Sequence, residues 1–127
     1  MPQDEMGARV RRRQRRLQHA EFERVYKQGR RHFAAHMTVF YLPRTQGTGL
    51  RVGFTVGRAL GGAVVRNRIR RRLREAVRLR WPASPAAADI VVHAKKSALK
   101  AGFEELLREM ERALAVVGQK TGPRAQS

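Results

Sequence analysis

Apolar residues along this chain switch between a helical spacing and a two-residue alternation, and the switches mark its elements. In residues 19–28, HAEFERVYKQ, Phe22 and Tyr26 lie four apart and share a helical face with Val25 on its edge; Gly29 follows where helices commonly stop. Residues 31–42, RHFAAHMTVFYL, read as one or two strands broken near Ala34 and Ala35. Their alternation puts His36, Thr38, Phe40 and Leu42 on one side and Met37, Val39 and Tyr41 on the other. PRTQGTG, residues 43–49, is a flexible connection to a further antiparallel strand at Arg51–Val56. Gly57, Gly61 and Gly62 then lead into a helix from about Ala63 to Arg80, with Val65, Ile69, Leu73, Ala76 and Val77 on one stripe.

The two prolines of WPASPAAA break the helix, and Trp81 is expected to cap the edge of the core. Consecutive Ile90, Val91 and Val92 mark residues 89–94 as a short strand buried on both faces. In residues 97–117, Leu99, Phe103, Leu106, Leu107, Met110, Leu114 and Val117 recur at helical spacing, Glu104, Glu105, Glu109 and Glu111 take the outer positions, and Gly118 is expected to end this helix. The order α-β-β-β-α-β-α predicts an α+β sandwich, a four-stranded mixed sheet with helices packed against it. The strands at 51–56 and 89–94, joined by the central helix, suit a parallel crossover, which general rules make right-handed.

A length of 127 residues accommodates one domain, placed at 17–117, between a disordered basic arm at 1–16 and a disordered tail at 118–127. Charge changes the picture more than length. Against 28 Lys+Arg stand 10 Asp+Glu, a net charge of +18, which no enzyme of small neutral substrates requires and which a polyanionic partner would neutralise. The absence of cysteine excludes disulfides, thiolate chemistry and Cys-ligated zinc. No apolar run is long enough to cross a bilayer and no secretory signal opens the chain, so a cytoplasmic location and no membrane partner are expected.

The charge concentrates on the central helix. Arg66, Arg68, Arg70, Arg71, Arg72, Arg74, Arg78 and Arg80 share the segment with one acid, Glu75. Asn67, Arg70, Arg71, Arg74 and Arg78 gather opposite the apolar stripe, where like charges three and four apart repel. A solvated basic face is the ordinary explanation of a charge run, but arginines this dense, with so little carboxylate to relieve them, are costly without a polyanion. Guanidinium grips phosphate in a bidentate fork, so nucleic acid is the expected partner.

Other candidate chemistry is thinner. An aromatic pair such as Phe22 and Tyr26 is commonly core, yet the helix is short and otherwise polar, and rings of this kind hold unpaired bases by stacking; the residues leave both roles open. The glycines before the central helix fit neither G-x-G-x-x-G nor G-x-x-x-x-G-K-[ST], so no nucleotide cofactor is expected. His32 and His36 lie in a strand with no Cys or carboxylate near in sequence, which argues against a metal or acid–base pair. No nucleophile has an evident base, and no catalytic constellation is predicted.

RVGFTV followed by GGAVVRNRIRRRLREAVR, within residues 51–80, resembles the signature of the protein subunit of bacterial ribonuclease P, with Arg66-Asn67-Arg68 at its centre; a weaker match runs from about Leu17 to Leu42. The resemblance implies a left-handed β-α-β crossover and an RNA partner that carries the cleavage with Mg²⁺, no cofactor being bound by a protein motif and no protein partner being required. It implies that Arg66, Asn67, Arg68, Arg70, Arg71 and Arg74, with Arg58 at the loop, meet the catalytic RNA or nearby substrate phosphates. It also implies that Phe22, Tyr26, Phe40 and Thr55 line a cleft for the single-stranded 5′ leader of precursor tRNA, with Tyr41 the rival of Phe40. Ala59 and Gly62 depart from the family's usual Lys and Asn, so no polar contact is expected from either. The expected function is therefore that of an RNA-binding accessory subunit promoting endonucleolytic 5′ maturation. The rivals are a general nucleic-acid binder of ribosomal-protein type and a self-sufficient ribonuclease using His32 and His36.

Overall fold

The computed structural model describes Leu17 and residues 19–82 and 87–121. The expected arm at 1–16, the last residues of the expected tail and the middle of the loop after Trp81 lie outside them. Helix α1 spans His19–Gln28, β1 Arg30–Phe33, β2 Met37–Pro43, β3 Leu50–Thr55, α2 Ala63–Leu79, β4 Ala88–Ala94 and α3 Phe103–Thr121, with 3₁₀ turns at Arg58–Leu60 and Lys96–Leu99. The sheet runs β1-β2-β4-β3, antiparallel except where β3 pairs β4 in parallel. The mixed α+β sandwich expected from the sequence is the fold of the chain.

Strand β4 positions everything else. Ile90, Val91 and Val92 are fully buried, so apolar side chains leave the strand on both faces and both must be covered. Even-numbered residues Ala88, Ile90, Val92 and Ala94 join the larger core with Ile69, Leu73, Ala76 and Val77 of α2 and Leu106, Met110 and Val117 of α3. Odd-numbered Val91 joins Leu17 and Val25 on the opposite face under α1. Two helices cover one face and a single ten-residue helix serves the other.

The backbone pairing also fixes the hand of the crossover. Lys95 N–H donates to the His36 carbonyl and Arg44 N–H to the Ala87 carbonyl, so odd-numbered residues at β4 bond toward β2 and even-numbered ones toward β3. The even side chains are those facing α2. For L-residues on a strand running upward with the side chain toward the viewer, N–H and C=O of that residue point right, so β3 lies to the right of β4. The chain rises along β3, returns in front through α2 and rises again to its left: the connection is left-handed. The general preference for right-handed crossovers fails here and the expectation from the resemblance holds.

Element ends differ from expectation in three places. Val65 is 39 % exposed, because it faces the turn at Gly61 rather than the core, and the buried stripe of α2 begins at Ile69. Leu99 belongs to the 3₁₀ turn and is 37 % exposed, while Ala113 completes the buried face of α3. Gly118 does not end α3, which continues to Thr121; glycine is tolerated in a helix at about 1 kcal/mol relative to alanine, a cost that cooperativity with the preceding turns absorbs. Gly29, by contrast, stops α1 as expected: its N–H bonds the Val25 carbonyl, and a Cβ there would lie 2.4 Å from that oxygen and 2.8 Å from the Tyr41 carbonyl. Trp81 packs half-buried against the larger core.

At the start of β4 a charge is buried. The Asp89 side chain is 0 % exposed, and Oδ1 accepts from Arg44 Nη1 at 2.8 Å and Arg51 Nε at 2.7 Å while Oδ2 accepts from Arg51 Nη2 at 2.8 Å. Arg24 of α1 lies 3.6 Å from Oδ2, and Arg51 also pairs with Glu21 of α1, so the network ties the helix to the sheet. Burial pushes the Asp89 carboxyl up, but the hydrogen bonds from Arg51 and Arg44 outweigh it and hold the group below the ordinary carboxylate range. Its stabilisation is therefore complete above the unfolded value of about 3.9 and is lost as pH falls through the folded value. Asp89→Asn is expected to cost about 3 kcal/mol at neutral pH in urea unfolding, and the gap between the two proteins should narrow on acidification below about pH 4.

Candidate nucleic-acid interface

The face under α1 is sealed only in part. Leu17, Val25 and Val91 are buried, whereas Phe22, Tyr26, Phe40 and Leu42 are half-buried around them. Phe22 lies on the backbone of β3 at Gly53, where a Cβ would fall 2.3 Å from the ring; only glycine permits that approach. Tyr26 and Phe40 meet edge to face with centroids 4.7 Å apart, and each has the His93 imidazole beside it at 6.1 and 6.3 Å. Tyr26 O–H donates to Thr55 Oγ1 at 2.7 Å and lies 3.1 Å from His93 Nδ1. Burial pushes the Tyr26 phenol up, partly offset by the Thr55 hydrogen bond, so the hydroxyl stays neutral. The Arg31 guanidinium sits 5.5 Å from the Phe40 centroid, in cation–π range. Rings, hydroxyls and the Arg31 cation thus line one partly open cleft that offers a planar base apolar surface with polar groups beside it.

Phe22, Tyr26, Phe40 and Thr55, picked from the sequence, come together here. Tyr41 points the other way into the larger core and is 3 % exposed, whereas Phe40 is half-buried with the cleft residues. His93, Gly53 and Arg31 escaped sequence reasoning. Gly53 stands inside the RVGFTV stretch, which gave it no role; for Arg31 and His93 the signal is the strand register, which sets Arg31 opposite Phe40 and His93 beside Thr55.

On α2, Arg68, Arg71 and Arg74 are exposed and make no hydrogen bond or ion pair among the described residues. Arg70 donates to Asn67 Oδ1 at 2.8 Å, and Arg66 Nε to the Gly61 carbonyl at 3.1 Å. Arg72 is diverted to structure, donating to the Ala101 carbonyl at 2.7 Å, and Arg78 pairs with Glu75. Arg58 and Ala59 are exposed on the 3₁₀ turn and Gly62 is exposed at the start of α2; Ala59 and Gly62 offer no polar side chain. The free cations therefore lie near the middle of the helix and at its approach.

The cleft and the arginine face do not lie side by side on one surface, as a simple adjacency would have it. They occupy opposite faces of the sheet, because odd and even side chains of β4 pack on different helices. They are linked at one end: β3 stops at Thr55 in the cleft, and the chain passes through Arg58 into α2.

His32 and His36 do not form a pair. His32 stands opposite Val39, whereas His36 approaches Ser97 Oγ through Nδ1 at 2.9 Å and Glu105 through Nε2 at 3.2 Å, and its backbone N–H donates to Glu109 at 2.9 Å. Those carboxylates are remote in sequence and pin the β1–β2 turn to α3. The Glu105 carboxyl is held below its ordinary range, first by the Gly102 N–H and then by His36.

Comparison with known proteins identifies the family. The model of the ribonuclease P family matches residues 10–118. The chain is 50 % identical over 90 residues to the ribonuclease P protein component of Symbiobacterium thermophilum, covering 71 % of this chain and 78 % of that one. It is 46 % identical over 102 residues to the corresponding protein of Acidothermus cellulolyticus, covering 79 % and 84 %. Among solved structures it resembles the RNase P protein of Staphylococcus aureus (TM-score 0.71, 28 % identity, 80 % of this chain and 93 % of that one) and that of Thermotoga maritima (TM-score 0.66, 27 % identity, 76 % and 96 %).

The seat of Phe22 is directly testable. Gly53→Ala should destabilise the chain by about 1–3 kcal/mol through displacement of the Phe22 ring. In a Phe22→Ala background the same change should cost markedly less, and a double-mutant cycle by chemical denaturation measures the difference.

Proposed function

This chain belongs to the ribonuclease P protein family, accessory subunits of the endoribonuclease that matures tRNA 5′ ends, and we propose that it contributes two RNA-binding surfaces to that enzyme. Arg66, Asn67, Arg68, Arg70, Arg71 and Arg74, with Arg58, grip phosphates of the catalytic RNA. Phe22, Tyr26, Phe40 and Thr55 hold the single-stranded 5′ leader of precursor tRNA. The observation that carries the second assignment is the half-buried Tyr26–Phe40–His93 group, polar at its edge and cationic beside Arg31.

Two opposed surfaces suit a subunit wedged between a large RNA and its substrate. The arginine face neutralises closely spaced phosphates whose own repulsion would otherwise resist a folded RNA, and releases their counterions on binding. The cleft gives unpaired bases apolar surface without reading their sequence, as leaders of varied sequence require. Discrimination between precursor and mature tRNA then comes from the leader alone. The cleavage step belongs to the RNA with its Mg²⁺. The described residues hold no group of three His, Asp and Glu side chains arranged for an ion, and His36, Glu105 and Glu109 are committed to one another. No helix among the described residues is long and apolar enough to cross a membrane, and we assign the protein to the cytoplasm, with its RNA partner.

Phe40→Ala in the reconstituted ribonucleoprotein should weaken precursor tRNA by about 1–3 kcal/mol while leaving mature tRNA unchanged. Equal loss on both would return the chain to a general RNA-binding role. Replacing Arg68, Arg71 and Arg74 together by alanine should lower the slope of log affinity for the catalytic RNA against log salt by about 0.7–0.9 per arginine that meets a phosphate. An unchanged slope would remove α2 from the interface.

A further inference from the structure

We infer that Phe33, on the edge strand, is an outer subsite of the cleft that stacks a leader base beyond those held by Phe22, Tyr26 and Phe40; this rests on the leader assignment above. Phe33 is 67 % exposed, yet a lone exposed apolar residue needs no explanation. What distinguishes it is its place in the sheet. Arg31 lies over the Phe40 ring, so Phe33, two residues further along β1, points from the same face. The pairing then sets Phe33 opposite Thr38, Thr38 opposite His93, and His93 opposite Thr55, one residue from each strand.

That row crosses the whole sheet at the end away from Asp89. Tyr26 borders it through Thr55 and His93. Thr38, 8 % exposed, forms a low floor between His93 and Phe33. With neighbouring strands about 4.8 Å apart, Thr55 to Phe33 spans roughly 14 Å, the reach of a few nucleotides laid across the strands. Cations flank the outer end on both sides: Arg31 precedes Phe33, and Lys95 Nζ donates to the Ala34 carbonyl at 2.6 Å just after it. An exposed ring between two cations, continuous with the cleft floor, has the chemistry of a base-and-phosphate contact. The row's other end leads through Arg58 toward the arginine helix; with the catalytic RNA on that helix, as proposed above, leader nucleotides nearest the RNA occupy the Thr55 end and distal ones reach Phe33.

The test uses the reconstituted ribonucleoprotein and precursor tRNA whose leader is lengthened one nucleotide at a time. With the wild-type protein, affinity should rise in steps as the leader grows. Phe33→Ala should match wild type on short leaders and lose about fivefold or more only once the leader reaches β1, and Phe33→Trp should keep the distal gain. A Phe33→Ala protein that follows wild type at every length overturns the subsite, as does one that loses equally on mature tRNA. Phe40→Ala, run in parallel, separates the two levels. If it flattens the dependence on leader length while Phe33→Ala does not, only the outer subsite falls; if neither variant departs from wild type, the leader assignment falls with it.

Discussion

A central strand with apolar side chains on both faces demands cover on both, and this chain meets the demand unequally. Ile90 and Val92 are sealed by α2 and α3, Val91 by α1 together with Leu17. One short helix cannot cap a four-stranded sheet, so part of that face remains open to solvent. Removing apolar area from water drives the packing, and where the cover runs out Phe22, Tyr26 and Phe40 stay half-buried.

The odd-numbered side chains of β4 record the transition. Asp89 is fully buried and locked by Arg44 and Arg51, Val91 is buried in a small apolar cluster, and His93 is half-exposed beside Tyr26, Phe40 and Thr55. A rigid end and an open end are thus built on one strand. The buried carboxylate holds α1 through Arg24 and through Arg51 with Glu21, fixing the helix that carries Phe22 and Tyr26. Aromatic residues placed by such a network lose little further freedom when a strand binds, which preserves affinity.

Charge is distributed with the same economy. Three of the four acids of α3 are committed to the fold: Glu105 and Glu109 to His36, and Glu111 to Arg80 at 3.9 Å. Glu75, the one acid of α2, pairs with Arg78. Part of the chain's net charge of +18 is therefore left uncompensated where Arg68, Arg71 and Arg74 project. Self-repulsion there disfavours the isolated helix, and bound phosphate would relieve it.

Local periodicity sufficed to determine the elements, the arginine face and the shared helical face of Phe22 and Tyr26, because each is a property of neighbours within one turn or one strand, whereas Phe40 and Thr55 were singled out by the family resemblance. The ends of α1, the break at Ala34 and Ala35 and the start of α2 at Ala63 followed from glycine placement and alternation. Segments remote in sequence had to meet before the rest existed. The register sets His93 against Thr55 and Arg31 against Phe40, and the close approach at Gly53 seats Phe22. Asp89 becomes an anchor only where β3 and the β2–β3 connection bring their arginines to it. Spacing along the chain cannot say which face a strand turns to which helix, because that depends on pairing partners and on the hand of the crossover. That choice, made by the packing of β4, put the cationic helix and the ring-lined cleft on opposite sides of one sheet.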